Sequence, residues 1–285
     1  MEITTVSSWR ELDEEIAESG RSSTGRHVHS TLVFRGLARA DRANVSRLSR
    51  LGEAHAPQVE RHLIRNFRKY AHRETPGPTL WDWLALAQHH GLPTRLLDWT
   101  YSPQVALHFA TTAWAEEDAV LWAVDCDAVH QLLPDTLRCA LEDEGSLVFT
   151  TELLSRHAPD LPALDALSGE GPYALFFEPP SLDERIVNQA AVLSVVTDVR
   201  CQMDEWLEGH PEVWRAWRLP PEVKEEARRR LDQANVNERI LLPGLDGLAA
   251  WLSRYYARNR IPVGAAAEGM SMEERADPQD EGSMG

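Results

Sequence analysis

HHGLPTRLLDWTYSP, His89 to Pro103, sets two histidines, an arginine, an aspartate and two threonines around an apolar run. Its punctuation reads as a helix end, a short extended segment and a new helix start. Upstream, Thr79 is placed to cap a helix through LWDWLALAQHH, and Gly91 followed by Pro93 is a stop signal. The histidines then occupy the last turn, where the helix dipole favours a protonated imidazole and a neutral one can satisfy an orphan carbonyl. Downstream, Ser102-Pro103 is an N-cap and N1 pair opening PQVALHFATTAW, whose Val105, Ala106 and Phe109 form a small apolar face. If Thr94 to Thr100 is extended, Thr94, Leu96, Asp98 and Thr100 point one way and Arg95, Leu97 and Trp99 the other. Both faces are mixed, so neither is plain core.

Further out, Ser8-Trp9-Arg10-Glu11 has the form of a capping box ahead of a short amphipathic helix. HSTLVFRGL, His29 to Leu37, reads as a strand delivering Arg35 to an edge, and Val59 to Tyr70 has helical spacing. AVLWAVD (Ala119–Asp125), YALFFE (Tyr173–Glu178), AAVLSVVTD and Trp214–Leu219 are strand candidates, separated by a weakly patterned insert of short helices and loops from Asp127 to Gly171 and by Pro179-Pro180. PEVKEEARRRLDQ reads as a charged surface helix, and LLPGLDGLAAWLSRYY supplies a last one. Helices of varied length between strands predict an α+β fold, a mixed β-sheet core with flanking helices. No GxGxxG or GxxxxGK[ST] accompanies these strands, which argues against a doubly wound nucleotide-binding sheet. Residues 1–260 are expected to form a single domain, and 261–285 a disordered acidic tail with few large apolar residues.

The chain of 285 residues is 43% hydrophobic, enough for a substantial core, and carries a formal net charge of -16. That field opposes nonspecific nucleic-acid binding through counterion release and weighs against a nuclease or RNA-binding reading, while leaving room for a local basic cleft. Cys126, Cys139 and Cys201 lack CxxC spacing and read as reduced structural thiols. With no basic-apolar leader and no run near the ~20 apolar residues of a span, a cytoplasmic protein without membrane partners is expected.

Several residues suit an anionic ligand. The Arg35 guanidinium is a rigid fork for phosphate or ribose, and Gly36 would let backbone approach the ligand. Asp98 is expected inward against Arg95 or Arg35, with Thr100 and Ser102 supplying donors and Trp99 stacking on a base. A buried Arg35–Asp98 ion pair that sets strand register is the structural alternative. His89 and His90 diverge by ~100° on a helix, a poor metal pair, so no metal is expected. Asp246, between glycines, reads as a turn or cap residue. No GxSxG occurs.

Taken in order, Phe34-Arg35-Gly36, the thirteen residues from Gln88 to Thr100, and Ser102-Pro103 with Ala106-Leu107-His108-Phe109-Ala110 resemble the FRG-domain family. Arg185-Ile186-x-x-Gln189 and Leu242 to Leu248 resemble it too, so the likeness spans roughly Trp9 to Tyr256. The chain departs from the family pattern at Leu37, where glutamine is common, and at Ala191 and Leu193, where glycine and phenylalanine are. More distantly, the early arginine and the polar strand feeding SP-x-x-A-x-x-FA are similar to elements of ADP-ribosyltransferases, whose third element is a late Glu or Gln. That resemblance implies NAD as cosubstrate and cleavage of the nicotinamide–ribose bond, with ADP-ribose passed to protein, nucleic acid or water. Glu184 would stabilise the oxocarbenium-like centre, and Gln189 would bind and orient. The catalytic candidates are thus Glu184, Gln189 and Arg35. The ligand-contacting candidates are Arg35, Gly36, His89, His90, Thr94, Arg95, Asp98, Trp99, Thr100, Ser102 and Arg185. Spacing puts Arg185 and Gln189, but not Glu184, on one helix face. The competing expectation is a non-catalytic nucleotide-sensing or protein-interaction module of a bacterial defence or toxin system.

Overall fold

The computed structural model describes residues 3–21, 30–52, 56–169 and 171–258. The expected acidic tail and His29 lie outside them. In chain order the elements are β1 (Thr4–Thr5), α1 (Trp9–Arg21), β2 (Leu32–Leu37), α2 (Ala56–Tyr70), α3 (Leu80–His89), β3 (Leu97–Thr100) and α4 (Pro103–Thr111). There follow β4 (Ala119–Asp125), α5 (Cys126–Gln131), α6 (Asp135–Glu144), α7 (Thr151–His157), α8 (Leu161–Ala166), β5 (Ala174–Phe177), α9 (Glu184–Asn188) and β6 (Ala191–Val196). The chain continues through α10 (Met203–Glu208), β7 (Trp214–Leu219), α11 (Pro221–Gln233), α12 (Glu238–Leu241) and α13 (Leu245–Arg258). The fold is α+β around one mixed sheet of seven strands in the order β1-β7-β4-β2-β3-β6-β5. Only β1 and β7 pair in parallel; every other neighbouring pair is antiparallel.

Period-two alternation decides which helices cover which face. Val33, Leu97, Trp99, Trp122, Phe176 and Trp214 point to one side, against α5 and α10. The other side carries two separate cores. Phe34, Leu121 and Trp217 meet α4, α11 and α1, whereas Leu175, Phe177 and Leu193 meet α3 and α6–α8. Between these two cores, over β2, β3 and β6, the sheet is left partly uncovered.

Local capping explains the helix starts flanking this gap. Thr79 and Asp82 form a reciprocal capping box on α3, and the Ser102 hydroxyl accepts from the Val105 amide with Pro103 at the first position of α4. Gly91, at φ 81°, takes the left-handed turn that ends the first of these helices. At α1 the Glu11 amide donates to Ser8, but the Glu11 carboxylate accepts from Ser7 instead, so half of the expected box is shifted by one residue.

Two expectations change, while the weakly patterned insert forms the short helices expected of it. The extended segment is shorter than Thr94–Thr100: the Thr94 hydroxyl accepts from the Leu96 amide, a local bond that competes with the sheet ladder. The 127–171 insert forms α5–α8 along the β5 end of the sheet. α11 is no simple surface helix, because Lys224 and Arg228 are buried. The Lys224 ammonium sits within hydrogen-bonding distance of the carbonyls of Ala38, Ala113, Trp114 and Glu117, which its three N–H groups share, exchanging its hydration shell for backbone oxygens. Among the described residues no helix is long and apolar enough to cross a membrane.

Candidate functional site

The gap between the two cores is a cleft of about 630 Å³, within the range that holds small-molecule ligands. Phe34, Gly36, Asp98, Thr100, Ala191 and Leu193 form its floor, α3 and α4 its walls, and Arg185, Ile186 and Gln189 close one side. None of its lining comes from 127–171, so the insert is not a lid over it.

The floor exists because the sheet splays. β2 and β3 pair only at Phe34 and Thr100. In a continued antiparallel ladder Gly36 would face Asp98, and the Asp98 carbonyl would accept a backbone amide. Instead the Arg35 side chain enters the opening and its Nη1 donates to that carbonyl at 2.6 Å. Arg35 Nε donates to Asn44 Oδ1 at 3.1 Å, and the Asn44 backbone N–H donates to Asp204 Oδ2 at 2.7 Å. Arg35 Nη2 makes no protein hydrogen bond among the described residues. Burial pulls the Arg35 pKa below its usual value, opposed by the nearby Asp98 carboxylate and reinforced by Arg50. Burial pushes the Asp204 carboxyl upward, and donation from Asn44 opposes it. Half-buried and with Nη2 unbonded, Arg35 gains from an anion in the cleft.

Asp98 is exposed although it lies within a strand. Its Oδ2 accepts from Gln88 Nε2 at 2.9 Å, and Gln88 Oε1 accepts from the Thr94 hydroxyl at 2.6 Å. Thr94 therefore orients Gln88 from behind and does not line the cleft. Ala85, Gln88 and His89, spaced three and four apart, share the cleft face of α3, a pattern from which Gln88 was readable. His89 Nε2 lies 2.7 Å from Asp183 Oδ2, and His90 packs edge-on against His89. Both histidines line the cleft. The Thr100 hydroxyl donates to the Gln189 carbonyl at 2.6 Å and accepts from the Ser102 amide, which ties α9 to the start of α4.

Four expected contacts are arranged otherwise. The Trp99 ring is buried on the opposite face, edge-on to Phe176, with Nε1 donating to Ser194 Oγ at 2.8 Å. It is core, not a stacking platform. Arg95 is buried against Glu60, with contacts to 2.6 Å, and reaches Asp165 at 2.8 Å. It pairs with neither Asp98 nor a ligand in the cleft, because the bend that precedes β3 turns it toward α2 and α8. Ser102 caps α4 and is not among the lining residues. Glu184 is exposed in the first turn of α9, also outside the lining, whereas Arg185 and Gln189 are within it. Gln189 Nε2 donates to the Leu241 carbonyl at 2.8 Å, fastening α9 to α12.

Gly36 has a different reason from the one its sequence suggested. A Cβ there would come 2.8 Å from Ala106 C and 2.9 Å from Ala110 N, so the glycine lets α4 lie directly on β2. Asn44, Arg47, Gln88 and Asp204 are the site residues that sequence reading left unassigned. Asn44 and Arg47 sit in an irregular loop with no periodicity to mark them. Among the described residues no group of three His, Cys, Asp or Glu is placed to hold a metal. All three cysteines are unpaired, and burial raises the Cys126 pKa well above its usual value.

Residues 30–119 match the FRG domain. The matched stretch builds β2, the Asn44 loop, α3, β3 and α4, which together form most of the cleft. No curated protein and no solved structure matches the chain.

Proposed function

For this FRG-domain chain we propose an NAD-consuming activity of ADP-ribosyltransferase type, with the dinucleotide held in the β2–β3 cleft. The observation that carries the reading is the pairing, on the two sides of one residue, of a fixed guanidinium and a cleft-facing carboxylate: Arg35 on the Asp98 carbonyl, Gln88 on its carboxylate. The unused Arg35 Nη2 offers a charge-assisted bond to a phosphate. Phe34, Val105, Phe109 and Ile186 offer apolar surface to a base.

The dinucleotide supplies a cationic nicotinamide leaving group. The bond from its nitrogen to the ribose C1′ breaks with the electron pair going to nitrogen, while an acceptor lone pair forms the new bond to C1′ and the acceptor proton passes to solvent. Asp98 takes the part expected of Glu184, because it is the carboxylate that faces the cleft. It accepts from a ribose hydroxyl and stabilises positive charge developing at C1′. Gln88 holds it in place, and Gln189 shapes the wall.

Incubation with NAD tests this through nicotinamide release, with Asp98→Asn and Arg35→Ala as controls. The expected result is release that falls at least a hundredfold in Asp98→Asn. A rate unchanged in both variants sinks the proposal.

A second reading is favoured by Asp98 being the only carboxylate among the cleft-lining residues. With no further acid or base, the cleft would sense a nucleotide without turning it over, as in a module of a bacterial defence or toxin system. Thermal stabilisation by NAD without nicotinamide release selects this reading.

A further inference from the structure

A second basin of about 320 Å³ adjoins the cleft, sharing Arg35, Arg47, Gln88 and Asp98 with it. Its far wall carries Arg39, Arg42 and Arg50 together with Trp114. Five arginines thus converge in a molecule whose formal net charge is -16.

Arg39 is neutralised by Asp41 at 2.6 Å and Glu117 at 3.0 Å. Arg42, Arg47 and Arg50 form no ion pair among the described residues; Arg47 and Arg50 donate only to the carbonyls of Gly91 and Val45. The remaining carboxylate in the basin, Asp98, accepts from Gln88 at the junction with the cleft. These three exposed guanidinium groups make a local positive field that favours an anion.

Trp114 keeps 52% of its surface exposed and sits at φ 55°, a backbone region that bulky residues rarely adopt. Arg39 lies 5.0 Å from its ring centroid. Lys224 fixes the tryptophan's position by binding the Ala113 and Trp114 carbonyls on one loop and the Ala38 carbonyl on the other. The fold thus commits a buried lysine and a strained backbone to presenting an exposed aromatic ring, with the paired Arg39 beside it, in the basin that Arg42, Arg47 and Arg50 also line. Such a ring beside such cations suits a base with its phosphate.

We propose that this basin is a nucleotide subsite separate from the dinucleotide cleft, with a base against Trp114 and its phosphate among Arg42, Arg47 and Arg50. The proposal does not depend on turnover in the cleft and is tested without NAD. Anisotropy of a short, labelled, 5′-phosphorylated single-stranded DNA is measured at low salt, with AMP and inorganic phosphate as competitors. Thermal melting of each variant checks that it folds.

The expected result is saturable binding that weakens with salt, drops at least tenfold in the Arg42→Glu/Arg50→Glu variant, and drops about fivefold or more in Trp114→Ala. Competition by AMP at concentrations where phosphate does not compete identifies a free nucleotide as sufficient; binding that only the strand achieves identifies a nucleotide within a polymer. Either supports the subsite. It is overturned if neither AMP nor the strand binds, if the folded variants bind like the parent, or if phosphate competes as well as AMP. A variant Arg42→Glu/Arg50→Glu that also loses NAD-dependent thermal stabilisation overturns it as well, by making the basin part of the dinucleotide site. Absent nicotinamide release leaves this result unaffected, so the two readings fail separately.

Discussion

The Arg35 guanidinium bonds the backbone carbonyl of Asp98, at 2.6 Å, and leaves its carboxylate to Gln88. The two residues are therefore coupled without consuming each other's charge. A direct bidentate pair would have neutralised both and left the cleft little to offer an anion. Here the side chain of one residue replaces a missing rung of the sheet, and the carboxylate of the other stays exposed.

Arg35→Lys keeps the charge but lacks the planar fork that reaches Asn44 and the Asp98 carbonyl together. Stability should fall by roughly 1–3 kcal/mol, since a polar group is left unpaired. Urea denaturation measures this, and NAD should no longer raise the melting temperature. A variant that still responds to NAD would mean that charge alone suffices.

Gly36→Ala should destabilise the fold by about 1–3 kcal/mol or more, because the new methyl meets the backbone of α4, which cannot yield as a side chain would. If the glycine served ligand approach alone, the melting temperature without ligand would stay at the parent value.

Glu60→Gln should cost roughly 3 kcal/mol, as a buried Arg95 loses the carboxylate it shares three hydrogen bonds with and keeps Asp165. Ligand-induced stabilisation should be preserved. Its loss would tie Arg95 to the cleft after all.

Buried His130 accepts the Phe176 amide at Nε2, at 3.1 Å, while Nδ1 lies 2.8 Å from the Leu147 carbonyl. The ring must be neutral with its proton on Nδ1. Burial lowers its pKa from 6.5 to about 4. Between those values the unfolded chain binds more protons, so this group's contribution is present above pH ~6.5 and is lost as pH falls toward about 4. The full loss is about 3 kcal/mol. Denaturant midpoints measured across that interval should fall less steeply in His130→Asn than in the parent. Parallel slopes would refute the assignment.

Much of the fold was readable locally. β4 spans the Ala119–Asp125 run and β7 the Trp214–Leu219 run, because β-branched and aromatic alternation survives any tertiary arrangement. The Thr79 and Ser102–Pro103 caps place α3 and α4 because a cap is satisfied within four residues. Arg95 was not so readable: it lies in a bend just before β3, where strand alternation does not apply, and its partner Glu60 is 35 positions away on α2.

The sequence by itself determined six of the seven strands, the two capped helices beside the cleft, and the polar character of the segment between them. Tertiary structure alone decided that β2 and β3 part after one pair, that Trp99 turns into the core, that Glu184 stays outside and that Gln88 holds Asp98. Local patterns record what a residue exchanges with its near neighbours on the chain. The opening of a sheet, and which charges meet across it, depend on distant backbones competing for the same hydrogen-bonding groups, and no short window of sequence contains both competitors.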